Sequence, residues 1–97
     1  MVIAIEPRTR SLTADYDRDA DVLYVAVGQP RPGYGDDGPD DVILRYGKAD
    51  RRPSGVTVVG FQENGWPRRL RDLAAIIARH VDVNECDAWQ IVGSATA

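Results

Sequence analysis

Apolar and polar residues alternate along Leu12–Tyr16, with Leu12, Ala14 and Tyr16 on one side and Thr13, Asp15 and Asp17 on the other. A period of two predicts a half-buried strand. Asp17–Asp21 follows as a short polar turn, in which Asp carboxylates can bond nearby backbone amides. The run Val22–Val27 then drops the alternation: Val22, Tyr24 and Ala26 fall on one face, Leu23, Val25 and Val27 on the other. A strand apolar on both faces is expected to be central and covered front and back. Val42–Tyr46 and Gly55–Phe61 read as two further strands, joined by the turn GKADRRPS. Between the hairpins, Gly28–Asp41 holds three Pro, four Gly and four Asp, a composition that predicts a long exposed loop.

The period changes after Gly65 and Pro67. At about 100° per residue, Leu70, Leu73, Ala74, Ile77 and Val81 share a stripe opposite Arg68, Asp72, Ala75 and Arg79, which predicts a helix over 67–81. Residues 82–97 read as a tail with a short strand around Trp89–Val92 that then frays. The expectation is one α+β domain over 1–97: a small four- or five-stranded antiparallel meander sheet, its core in 12–61, packed against one C-terminal helix. One helix covers one face of a sheet. The second apolar face of Val22–Val27 therefore predicts self-association, as a homodimer.

A chain of 97 residues is the size of a single domain, and its 43% apolar content suits a folded globule. Cys86 is the only cysteine, so no disulfide within the chain is expected. The opening MVIAIEPRTR is too short in apolar length for a signal-peptide core or a bilayer span, which makes a soluble cytoplasmic protein, without a membrane, the default. The net charge of −3 is unevenly spread: residues 1–14 and 51–79 are net positive, 15–50 and 80–97 net negative. An acidic chain argues against non-specific nucleic-acid binding, and alternating charge blocks suit complementarity between parts or copies of the chain.

The ladder Asp15, Asp17, Asp19, Asp21 has the spacing of the first half of a calcium loop. Counting from Asp15, however, Ala20 stands where that loop needs glycine and Ala26 where it needs the bidentate Glu. That excludes an EF-hand and leaves a turn, or at most a weak cation site. Asp36, Asp37, Asp40 and Asp41 sit in a Gly/Pro-rich segment and read as hydrated. His80, the only histidine, falls at the end of the helix, where capping is the simpler role. Cys86 has no CxxC partner and Asp87 beside it, an unfavourable setting for a reactive thiolate. Three cations, Arg68, Arg69 and Arg71, open the helix against its macrodipole. They pair locally with Glu63 and Asp72, or they form a patch for an acidic partner, a phosphate, or another subunit's Asp-rich loop.

Tyr16-Asp17, Ala20-Asp21-Val22-Leu23-Tyr24-Val25, then Asp41–Tyr46 and Gly55-Val56-Thr57-Val58 together resemble a domain-of-unknown-function family. Its small bacterial and archaeal proteins carry a YDxxADVLYI … VILRY … VGIEIL signature. The resemblance covers residues 12–61 and implies a compact β-rich domain with a helix after the sheet. It transfers no catalytic residue, and it implies a partner-binding, antitoxin-like role with a toxin-like protein as partner. The chain departs from the signature at Arg51, where a turn glycine is common, and beyond Trp66. Tyr16, Leu23, Tyr24, Leu44 and Tyr46 are sheet positions, read as core packing ahead of a ligand groove. The expected function is thus a non-enzymatic interaction or regulatory module without cofactor or metal. The alternative is a ligand-binding protein, metal-binding protein or enzyme that uses the 28–41 loop as a lid.

Overall fold

The computed structural model describes residues 2–5, 11–29 and 31–97. Glu6, Arg8 and Arg10, which make the first charge block positive, lie outside the described residues, as does most of the segment judged too short for a signal peptide. Six strands form one antiparallel sheet: β1 (Val2–Ile5), β2 (Leu12–Asp17), β3 (Val22–Val27), β4 (Gly33–Asp37), β5 (Val42–Gly47) and β6 (Pro53–Val59). Two helices follow, α1 (Leu70–Val81) and α2 (Glu85–Thr96). The architecture is the α+β fold with an antiparallel sheet that the periodicities predict.

The strand order β1-β2-β3-β6-β5-β4 is not a single meander. Two three-stranded meanders meet with β3 beside β6, in the register Leu23↔Val58 and Val25↔Val56. This places the two most apolar strands in the middle, where both ladders and the helix-covered face are shielded at once. The sheet also extends beyond 12–61 on both borders. β1 pairs with β2, and β4 arises inside the segment expected to be a loop. Five residues rich in Gly and Asp suffice there because β4 bonds only to β5, and its carboxylates face water along an edge that would otherwise invite another strand.

The tail is a second helix, not a strand. Asn84 caps it, its side-chain oxygen accepting from the Cys86 amide at 2.7 Å, and Glu85 and Asp87 in the first turn suit the positive end of the macrodipole. Ala88, Ile91, Val92 and Ala95 then form a buried stripe at helical spacing. α1 starts at Leu70, later than expected, because Pro67 lies in a separate 3₁₀ turn over Trp66–Arg68. Its stripe is as predicted, with Leu73, Ala74, Ile77 and Val81 buried. α1 packs on β6 and α2 on β2 and β1, so both helices cover the same face of the sheet.

Asp21 joins the two halves. Its residue is left-handed (φ 58°), and its carbonyl accepts the amides of Gly60 (2.8 Å) and Phe61 (3.1 Å). Its carboxylate accepts the Tyr16 hydroxyl at 2.6 Å and the Gln62 and Glu63 amides at 2.9 and 3.1 Å. Gly60 takes φ 69°, a turn that side chains rarely adopt, and so brings those amides back onto Asp21. Tyr16 itself is buried, edge-on to Phe61 with ring centroids 5.3 Å apart. Burial raises the Tyr16 pKa, and the hydrogen bond to Asp21 and its charge add to the rise. For Asp21, burial pulls upward but is outweighed by the Tyr16 hydroxyl and the two amides, and the net shift is downward. The Tyr16-to-Asp21 spacing is therefore a structural clamp.

Candidate functional site

The sheet face away from the helices is open. Register places Thr13, Ala26, Gly55, Arg45 and Gly35 in one row across it, Asp15, Tyr24, Thr57, Ile43 and Asp37 in the next, and Asp17, Val22 and Val59 in a third. Tyr24 is 47% exposed and Val59 42%. The expectation that Val22–Val27 is covered on both sides is thus corrected within the chain: Leu23, Val25 and Val27 are buried, whereas the Tyr24 side faces solvent because both helices went to the other face. Tyr24 is likewise no core residue.

A depression of about 200 Å³ lies in this face. Its floor is Ala26 and Gly55; a Cβ on Gly55 would collide with the Val25 carbonyl oxygen, so only glycine allows the strands to close there. Tyr24, Thr57, Ser54, Arg45 and Arg31 stand around it. Arg31, from the β3–β4 connection, lies 3.7 Å from the Asp50 carboxylate, with the Pro53 carbonyl at 3.4 Å, which holds it against the sheet. Asp50 is fixed in turn by the Arg52 amide at 2.9 Å; that hydrogen bond comes first among the causes that lower its pKa, ahead of the charge of Arg31. Neither arginine was singled out in the sequence. Arg45 sits at an outward position of β5, but that it meets Gly55 depends on pairing with a strand eight residues away and on an irregular register at Arg45/Tyr46.

The predicted residues fall elsewhere. Arg69 pairs with Asp40 of the chain's own 28–41 segment at 3.0 Å, donates to the Asn64 carbonyl at 2.9 Å, and stacks on Trp66 with its guanidinium 4.0 Å from the ring centroid. It fastens the 3₁₀ turn to that segment, in place of the expected Glu63 or Asp72. Arg68 and Arg71 are exposed, and Arg71 joins Ala74, Glu85, Cys86 and the 47%-exposed Trp89 around a groove of about 320 Å³ between the helix starts. The three arginines therefore do not form one patch. His80 does not cap its helix: its Nε2 lies 2.9 Å from the Arg45 carbonyl and its ring meets Tyr46 edge-on at 4.9 Å, docking α1 to β5. Tyr46 stacks on Tyr34 at 5.5 Å.

Within the Asp ladder, Asp17 accepts the Ala20 amide at 3.1 Å and Asp21 is clamped as described, which is the turn reading. Among the described residues, no group of three or more His, Cys, Asp or Glu side chains could hold a metal ion, and no polar or charged side chain is fully buried. Residues 33–37 are bonded into the sheet and Asp40 is tied to Arg69, so a lid made of 28–41 would have to break that ladder first. No helix of the described residues is long and apolar enough to cross a membrane. Comparison of the chain with protein-family models, with curated proteins and with solved structures gives no match in any of the three.

Proposed function

We propose that this protein is a small non-enzymatic interaction module that acts as a homodimer, two copies packing through their open sheet faces. The observation that carries the reading is the apolar centre of that face, where Tyr24 and Val59 are 47% and 42% exposed beside the half-buried Val22, Ala26 and Ile43. Charge favours a second copy as the occupant. Asp15 and Asp17 stand on the β2 side of the face, Arg45 and Arg31 on the β5 side, and Asp37 beyond them at the β4 edge. A twofold axis parallel to the strands lays the acidic side of one copy over the basic side of the other, as an isologous interface requires. The five strands β2–β6, about 4.8 Å apart and about 20 Å long, offer roughly 500 Å² per partner, which is the lower limit for a specific interface and fits a weak, concentration-dependent dimer. The resemblance of residues 12–61 to the domain-of-unknown-function proteins supports a regulatory, antitoxin-like use of such a module in a bacterial cytoplasm, where the exposed Cys86 stays reduced.

Sedimentation equilibrium over roughly 10 µM to 1 mM protein tests this, a range that brackets weak association. The wild type should shift from monomer to dimer, and Tyr24→Asp and Val59→Asp, both at exposed positions, should stay monomeric with unchanged circular dichroism. A wild type that is monomeric throughout overturns the reading.

A further inference from the structure

We infer that the depression at Gly55 is a binding site for a small oxyanion, a carboxylate or phosphate ester carried on a compact planar group. The inference does not depend on self-association. Arg31 and Arg45 bring two guanidiniums to one concavity, and Ser54, Thr57 and the Gln29 amide add neutral donors. None of the described residues lining it is acidic, in a chain whose net charge is −3. Guanidinium forks match the geometry of carboxylate and phosphate oxygens and bind them in pairs of parallel hydrogen bonds.

The site is built, not a chance pairing of surface chains. The Pro53 carbonyl and Asp50 hold Arg31 over the rim, and Asp50 is itself locked by the Arg52 amide. Arg45 stands half-buried in the open row beside Gly55, where β3 and β6 approach so closely that no Cβ fits between them. Tyr24 contributes an exposed aromatic wall, against which a flat group can stack. The volume, about 200 Å³, sets the size of ligand. Drug-sized ligands occupy clefts of roughly 300–1,000 Å³, so this one admits a fragment with one anionic head.

The site lies inside the face proposed for pairing. An anion on Arg45 takes the place of the partner copy's acidic side, and so ligand and second copy compete.

The test is an amide and arginine-Nε NMR titration with inorganic phosphate, phenyl phosphate and benzoate. It uses protein dilute enough to be monomeric, at ionic strength held constant with sodium chloride. Saturable shifts confined to Tyr24, Arg31, Arg45, Gly55 and Thr57 are expected, with phenyl phosphate and benzoate binding tighter than inorganic phosphate. The two organic anions separate a phosphate ester from a carboxylate as the preferred head. Arg45→Gln should weaken binding at least tenfold, and Arg31→Gln, on a connection and not in a strand, gives the same reading if Arg45→Gln does not fold. Arg68→Gln, at an exposed site away from the sheet face, should leave binding unchanged. Shifts that do not saturate, that sodium chloride alone reproduces, or that persist in both arginine variants overturn the assignment. Anion binding by a protein that stays monomeric over the whole sedimentation range refutes pairing alone; a dimer that phosphate neither shifts nor dissociates refutes the anion site alone.

Discussion

Replacing Asp21 by alanine removes three hydrogen bonds at one stroke: the Tyr16 hydroxyl at 2.6 Å and the Gln62 and Glu63 amides at 2.9 and 3.1 Å. Hydrogen bonds to a charged acceptor contribute about 1.5–3 kcal/mol each, and those sharing one carboxylate are not additive. Alanine also fits the φ of 58° worse than Asp or Asn does. Together these give a loss of about 3–5 kcal/mol, a large part of the 5–15 kcal/mol that holds a domain of this size together. Asp21→Asn keeps one acceptor oxygen and the tolerance for a left-handed backbone, and should lose only about half as much. Urea unfolding followed by the fluorescence of the buried Trp66 reads both variants. The sign with pH follows from the lowered Asp21 pKa: the carboxylate's contribution is complete above the ordinary Asp value near 4 and fades as pH falls through the lower folded-state value. The gap between wild type and Asp21→Asn should therefore close on acidification. If Asp21→Ala unfolds within 1 kcal/mol of the wild type, or the gap is the same at all pH values, Asp21 is no clamp.

Four further outcomes follow from the same contacts. Arg51 holds φ 58°, so Arg51→Gly should stabilise the protein by about 0.5–1 kcal/mol in the same urea assay, and a destabilised variant would show that the side chain carries more than a turn. Asn84→Ala removes the cap of α2 and should cost about 1 kcal/mol, with hydrogen exchange accelerating first in Glu85–Ala88. Arg69→Ala should cost about 1–2 kcal/mol through the lost Trp66 stacking and Asn64 bond, while Asp40→Ala should cost under about 1 kcal/mol because that ion pair is about half exposed. Tyr16 prefers its neutral form when folded, so stability should decline as pH rises from about 10 through its raised folded-state value, and Tyr16→Phe should lose that alkaline slope.

The strands β2, β3, β5 and β6 and the stripe of α1 were legible because their signal is local: a period of two or of 3.6, repeated over several residues. β4 was not, since an edge strand needs only one ladder and can be built from Gly33, Tyr34, Gly35 and two Asp. α2 was hidden by Trp89–Val92, which looks strand-like alone; the Asn84 cap and the Ala88, Ile91, Val92, Ala95 spacing would have revealed it. The order of the sheet rests on β3 meeting β6, a pairing across about 30 residues that no local pattern encodes. For the same reason the sequence suggested the Arg68–Arg71 cluster and missed Arg31 and Arg45, which converge only once β5, β6 and the 28–32 connection are in place. The apolar second face of Val22–Val27 was read correctly as a feature, but the chain leaves it open where cover was expected.

The claim that two copies meet through the open sheet face is tested most directly by isotope-filtered NOE spectroscopy on a mixture of labelled and unlabelled protein at millimolar concentration. Cross-peaks between the Tyr24 ring of one copy and the Ile43, Val22 or Val59 methyl groups of the other are the predicted result. Intermolecular cross-peaks confined to the helices or to the β4 edge, or none at all, would contradict it.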